Sequence, residues 1–368
     1  MKNVSIVSIF ALMLSAAPFV LGGDASKAAL PEDDSLLTYV EFSQMGDPAK
    51  VLEVKVEQPR ALQTGEVRVK VLATPIHPSN LLQISGLYGI PPALPSTPGS
   101  EGVGQVIETA SDATELTVGQ RVLLVGGGTW REQVIAPTAS FIPLPDLGTP
   151  SSEMIEQLSM TAINPLSALL LLTSFVDLKD GDWLVHSAAN SAVGGYIIQL
   201  AKQRGIKTVN IVRREGLAED LLSKGGDVVL IDGPDLVSRI ADAIDNASIG
   251  LGIDAVGGKT FTRLAQSLDA GGTMVSYGVM SGKPVTLNPA MMIFNDIRIR
   301  GFWLSNWFET APASEKQAAF GQIIPLVASG ALSANVDSRF TVSEIKQAVE
   351  RAAQSGRNGK VLIVPNVP

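Results

Sequence analysis

The chain is predicted to be an α/β protein in which an all-β module is followed by a doubly wound parallel sheet. Three observations predict it. Residues 35–144 alternate short apolar runs with turn residues, as strands of a partly open β-barrel do. Residues 182–302 alternate strand and helix patterns, which implies parallel strands with crossover helices. Residues 182–214, DWLVHSAANSAVGGYIIQLAKQRGIKTVNIVRR, have the layout of a dinucleotide-binding strand, turn, helix and second strand. A length of 368 residues fits two domains, and an apolar content of 45% can bury both cores.

Residues 1–25 are read separately from the fold. Lys2, an apolar run over 4–21 broken by Ser8, Ser15 and Pro18, and small residues over 22–25 resemble a secretory signal peptide. Export is the literal expectation, with a membrane anchor or an upstream-assigned start, and hence a cytoplasmic protein, as alternatives. The segment is too short and interrupted for a clean span, which needs about 20 apolar residues. The leucine-rich stretch 165–176 is also too short and is predicted to be a buried helix. No stable membrane span is therefore expected in the mature chain.

Strands of the β module are predicted over 36–42, 51–56, 66–72, 102–108, 121–125 and 132–136. The run GSEGVG at 99–104 is read as flexibility where a strand passes a site. Beyond Pro150 the pattern turns helical. Strands are then predicted over 183–186, 208–212, 228–231, 252–255, 273–277 and 297–302, enough for a six-stranded sheet. Helical patterns over 314–330 and 342–355 and a closing strand over 360–364 complete the chain. The tail is expected to return to the β module, so that 36–160 and 305–368 form one domain and 161–304 is inserted into it.

Charge and composition exclude several functions. The net charge is −8, only 17% of residues are charged, and no basic cluster is interleaved with aromatics, so nucleic acid is not an expected partner. There is no cysteine, which excludes disulfides, iron–sulfur clusters and thiolate zinc sites.

The nucleotide segment points to a cofactor. Residues 183–186 suit a buried strand, and small residues over 188–195 let backbone amides approach a pyrophosphate at a helix N-terminus. Ala189 and Ser191 stand where two glycines are expected, and Gly194 keeps its place. Arg213 and Arg214 lie where the common fingerprint has an acid for the ribose 2′-hydroxyl, Arg213 being 19 residues beyond Gly194. Arginine there suits a 2′-phosphate, so NADP(H) is expected over NAD. The alternatives are an ordinary strand-to-helix turn, solvated arginines, and Glu215 offering its carboxylate to a ribose.

Eight motifs together resemble the medium-chain dehydrogenase/reductase superfamily, and within it the zinc-free branch of quinone reductases and 2-enoyl thioester reductases. They are HPSNLLQISGLYG (77–89), GSEGVGQV (99–106), INPLSA (163–168), NSAVGG (190–195), DAVGG (254–258), GGTMVSYGVM (271–280), RGFWLSNW (300–307) and GKVLIV (359–364). The resemblance implies a GroES-like β-barrel domain and a Rossmann domain. Zinc-dependent members place a cysteine, a histidine and a second cysteine where this chain resembles them with His77, Ser100 and Asn164, and the four-cysteine lobe is missing, so no metal site is expected. His77 is expected as a hydrogen-bonded pocket or core residue, and His186 as a strand residue under the cofactor.

By resemblance, the NADP contacts fall on Asn164, on Asn190, Ser191, Ala192, Val193 and Gly194 in the turn, on Arg213 and Arg214, on Tyr277, Gly278, Val279 and Met280, on Phe302, Trp303 and Leu304, and on Lys360. Each could instead be a capping, packing or surface residue. Glu215 departs from the enoyl reductases, which tend to have a third base there. Tyr88, in a Gly-flanked loop, matches their catalytic tyrosine in position and flanks; a phenol is neutral at pH 7 and can protonate an enolate. Its alternative is a structural loop tyrosine. Trp303 and Trp307 are read either as walls of an acyl channel or as core packing.

The function implied is NADPH-dependent reduction of an activated C=C bond in a trans-2-enoyl thioester, with hydride to C3 and a proton to C2. Quinone reduction is the alternative, and a crystallin-like binding protein is the non-enzyme alternative. A homodimer formed through the sheet edge is expected from the family.

Overall fold

The computed structural model of the chain describes residues 36–365, so the signal-peptide reading of residues 1–25 lies outside them. The β module opens with β1 (Leu37–Glu41), α1 (Pro48–Val51) and β2 (Glu53–Glu57), the two strands pairing antiparallel. It continues with β3 (Glu66–Pro75), α2 (Pro78–Ile84), β4 (Glu101–Thr109), β5 (Arg121–Val125), β6 (Gln133–Pro137) and β7 (Phe141–Pro143). The long strand β3 is the spine, with β4 along one edge and β6 along the other. Its Val67, Val69 and Val71 recur at the two-residue strand period and all face one core, with Val122, Leu124 and Phe141.

The nucleotide module is entered through α3 (Ser152–Ser159) and α4 (Asn164–Thr173), and α4 is buried over 164–172. A helix apolar all round belongs in a core. Among the described residues no single helix is long and apolar enough to cross a membrane; α3 and α4 pass only as a pair bent by 52°. Then follow β8 (Trp183–His186), α5 (Ala192–Gln203), β9 (Lys207–Val212), α6 (Ala218–Ser223), β10 (Val228–Ile231), α7 (Leu236–Ala243), β11 (Ile249–Asp254), α8 (Gly258–Gln266), β12 (Thr273–Ser276), α9 (Pro289–Asn295) and β13 (Arg298–Gly301). Their order in the sheet is β10-β9-β8-β11-β12-β13, every pair parallel. Strand order therefore reverses between β8 and β11, where such sheets open a ligand crevice.

The tail comprises α10 (Leu304–Thr310), α11 (Ala313–Ala328), β14 (Val336–Phe340), α12 (Ile345–Ala353) and β15 (Lys360–Ile363). β15 pairs with the end of β3, Leu362 opposite Pro75, so the tail rejoins the β module's sheet. One core cluster runs through both modules, from Ala73, Val103 and Leu123 through the α4 leucines to Leu184, Ile253 and Val275.

Four expectations change. The glycines of 99–104 serve close approach rather than flexibility: a Cβ on Gly104 would stand 2.7 Å from the Lys70 carbonyl oxygen, inside the β3–β4 pair. β14 was not expected, because VDSRF lacks an alternating apolar pattern; its partner β15 makes it a strand. β11 begins at Ile249 rather than 252, recruited across a bulge opposite β8. β13 ends at Gly301, so Phe302 and Trp303 lie just past the strand and Leu304 opens α10.

Candidate active site

The carboxyl ends of β8, β11, β12 and β13 are tied into one rim. Ser187 N donates to Ile253 O, Tyr277 N to Asp254 O, Met280 N to Ala255 O and Phe302 N to Ser276 O, all at 2.9–3.0 Å. Beneath it, Ser187 Oγ donates to Asp254 Oδ1 at 2.6 Å, and Asp254 Oδ2 accepts from Gly257 N at 2.6 Å, fixing the loop after β11. His186 is fully buried one residue below, bonded to Asn210 at 2.6 Å, and burial pushes its imidazole down to about 4.

The turn between β8 and α5 fits a dinucleotide. Ser191 caps α5, its Oγ accepting from Gly194 N at 3.1 Å. The amides of Ala192 and Val193 have no hydrogen bond among the described residues and open the helix N-terminus. A Cβ on Gly194 would stand 2.4 Å from the Ala189 carbonyl oxygen, so only glycine lets the turn close this tightly. Asn190 is exposed beside it. Arg213 and Arg214 are exposed at the end of β9 and make no ion pair or hydrogen bond among the described residues. Asn164 Nδ2 at the start of α4 is a buried polar atom without a partner, and the Tyr277 hydroxyl is buried with only Ser191 beside it. Burial raises that phenol above its ordinary range. Val279 and Met280 are exposed, while Gly278, Phe302 and Leu304 are half-buried around the rim.

Tyr88 comes to this rim from the β module. Trp303 Nε1 donates to the Tyr88 hydroxyl oxygen at 3.0 Å, across 215 residues of sequence. The bond uses an oxygen lone pair, so the phenol proton stays free to be donated elsewhere. The two tryptophans differ in setting. Trp307 is half-buried, packs against Phe308 at 5.3 Å and against the core, and bonds Glu315 at 2.6 Å, whereas Trp303 is 41% exposed at the rim.

Lys360, like Asn164, is a buried cofactor candidate. Its Nζ lies 2.8 Å from His77 Nδ1, while His77 Nε2 lies 2.7 Å from Glu101 Oε1. An ammonium has only donors, so Nδ1 accepts and Nε2 carries the proton given to Glu101. A neutral imidazole thus bridges a buried ammonium and a buried carboxylate. Burial raises Glu101 and lowers Lys360, and each one's charge opposes the other's shift; burial and the Lys360 charge hold His77 well below its ordinary range. Glu101 Oε2 accepts from Ile163 N at 2.9 Å, joining this chain of bonds to the start of α4. Asn80 completes it, accepting from His77 N at 2.9 Å and donating to Ser100 Oγ at 2.6 Å. Sequence reasoning missed Glu101 and Asn80, although both lie in motifs it quoted; a carboxylate beside Ser100 in an otherwise apolar strand was the available signal.

Comparison with known proteins follows the same lines. Residues 63–146 match the alcohol dehydrogenase GroES-like domain, and residues 192–319 match the zinc-binding dehydrogenase family. The chain is 35% identical to the mitochondrial enoyl-[acyl-carrier-protein] reductase of Rattus norvegicus, over 84% of this chain and 83% of that one. Among solved structures it resembles the mitochondrial 2-enoyl thioester reductase Etr1p/Etr2p heterodimer from Candida tropicalis, with a TM-score of 0.81 and 28% identity over 90% of this chain and 100% of that one. Etr1p in complex with NADP and crotonyl-CoA gives a TM-score of 0.80 at the same identity and coverage. A Bacillus thuringiensis protein assigned as an NADPH:quinone reductase gives 0.81, again at 28% identity over 90% and 100% of the two chains. The donor set at His77, Ser100 and Asn164 does not fit the zinc in the second family's description. Both His77 nitrogens are committed, and the Lys360 ammonium already supplies a cation there.

Proposed function

The chain belongs to the medium-chain dehydrogenase/reductase superfamily, in the zinc-free branch with the mitochondrial enoyl-[acyl-carrier-protein] reductases, and from that membership we propose its chemistry. It is an NADPH-dependent oxidoreductase that reduces the C=C bond of a trans-2-enoyl thioester. The bound nicotinamide supplies the hydride, delivered to C3. Ala192 and Val193 offer amides to the pyrophosphate, Arg213 and Arg214 offer charge to the 2′-phosphate, Asn164 offers its unbonded Nδ2, and Tyr277, beside Ser191, offers its hydroxyl to the cofactor. Tyr88 donates its free proton toward the enolate or C2, while Trp303 fixes the phenol's direction. Phe302 and Leu304 flank the pocket, and Lys360 acts on it from below through His77 and Glu101.

The observation that carries this reading is the Trp303–Tyr88 hydrogen bond, which brings the β module's loop phenol to the carboxyl edge of the parallel sheet. NADPH oxidation by the purified protein, with crotonyl thioester compared with quinones, tests it. Rapid thioester-dependent oxidation is expected. Strong quinone reduction without thioester reduction would establish the alternative that the Bacillus thuringiensis likeness favours.

Two identical chains are proposed to pair through β13. All four β13 residues are exposed on the sheet's free edge, and the neighbouring helix α9 exposes Ile293 at 70% and Phe294 at 80%. A bare edge beside apolar side chains is a pairing surface. Residues 1–25 are proposed as an export leader; a mature protein that sequences from Met1 would contradict this.

A further inference from the structure

The loop between α12 and β15, residues 354–359, carries an arginine whose position the loop's own structure does not explain. Arg357 Nε donates to Gln354 O at 3.1 Å and Nη1 to Gly359 O at 3.3 Å, while Nη2 has no partner among the described residues. It has no carboxylate of its own. The nearest acid on the packed elements, Asp337, is already held by Arg351 at 2.6 and 2.7 Å and by the Asn358 amide at 3.2 Å. Burial lowers the Arg357 guanidinium below its ordinary range.

The same loop lies against the end of β9. A Cβ built on Gly356 would stand 4.0 Å from Arg214 Nη1. The amides of Ser355 and Gly356 donate to nothing among the described residues. Arg214, next to Arg213, therefore stands beside the loop that carries Arg357, and none of the three has an acidic partner among the described residues, in a chain of net charge −8 that has carboxylates to spare. Like charges gather at a cost, and an anion among them reverses its sign. A loop staple accounts for Arg357 Nε and Nη1, but not for the free Nη2 or for the placing of the adjacent Gly356 against Arg214.

We propose that the C-terminal loop completes the 2′-phosphate site, with Arg357 as the third base beside Arg213 and Arg214, in place of the base that Glu215 does not provide. The inference rests on the NADPH reading above. It makes cofactor discrimination a property of both modules, since β9 supplies two guanidinium groups and the tail supplies the third and two free amides.

Calorimetric binding of NADPH, NADH and 2′,5′-ADP to the full chain tests it, in the wild type, Arg357→Met and Ser355→Glu. Both variants should weaken NADPH and 2′,5′-ADP by roughly tenfold, the scale of one charge-assisted hydrogen bond, and leave NADH unchanged. Ser355→Glu leaves both carbonyl bonds of Arg357 in place, so it separates lost charge from a collapsed loop. NADPH and NADH affinities that fall together, or that both stay put, would overturn the proposal. A wild-type protein that binds NADPH no better than NADH would instead sink the cofactor reading beneath it, before any variant is compared.

Discussion

The phenol of Tyr88 is oriented by a bond that leaves its donor capacity intact, and this makes the residue separable from cofactor binding. Tyr88→Phe should lower kcat for enoyl thioesters by roughly 10²-fold or more, the usual weight of a positioned proton donor, with NADPH affinity unchanged. Trp303→Phe should cost less, because it frees the phenol without removing it; steady-state kinetics with a binding titration distinguishes the two. The buried bridge behaves differently. Glu101→Gln leaves the Lys360 ammonium without its counter-charge and should destabilise the fold by about 3 kcal/mol, much of it recovered when Lys360→Met is added. Chemical denaturation of the single and double variants measures that coupling. His186 predicts a pH dependence. Its imidazole titrates near 6.5 when unfolded and is pushed down to about 4 in the fold, so the unfolded chain binds more protons between those values. Stability is then full above the unfolded value and is lost as pH falls toward the folded one, by roughly 2 kcal/mol between about pH 7 and pH 5. His186→Gln should flatten the melting temperature over that range.

Among the elements, those with strong periodicity were legible and those made by a partner were not. The runs 121–125, 183–186 and 228–231 were read with the bounds β5, β8 and β10 have, because short apolar runs between turn signals fit buried strands. The leucine run became α4, apolar on every face and buried between modules. Leu171→Ala there should cost about 2–5 kcal/mol and lower the melting temperature without altering the fold. β14 shows the opposite case: Asp337, Ser338 and Arg339 carry no strand pattern, and only the β15 backbone makes them a strand. The β13 boundary was misread because Phe302 and Trp303 prolong its apolar pattern past the last ladder pair at Gly301.

For the whole molecule, the tail closes back on β3 and one core joins the modules, so the cleft is framed by segments far apart in sequence. The proposed dimer belongs to this scale: Phe294→Glu with Ile299→Lys should yield a monomer by light scattering, and a dimer that survives both would place the interface elsewhere. The sequence by itself determined the strand succession of the parallel sheet, the glycine at 194, the arginines after β9 and the absence of thiolates, because these are local facts of period, sterics and side-chain chemistry. Only the tertiary structure decided that Trp303 meets Tyr88, that Lys360 turns inward to His77 and Glu101, and that the Gly356 loop reaches Arg214. The Trp303–Tyr88, Lys360–His77 and Gly356–Arg214 contacts each span more than 100 residues of chain, and sheet order and burial of a shared core, which no local pattern encodes, bring their partners together.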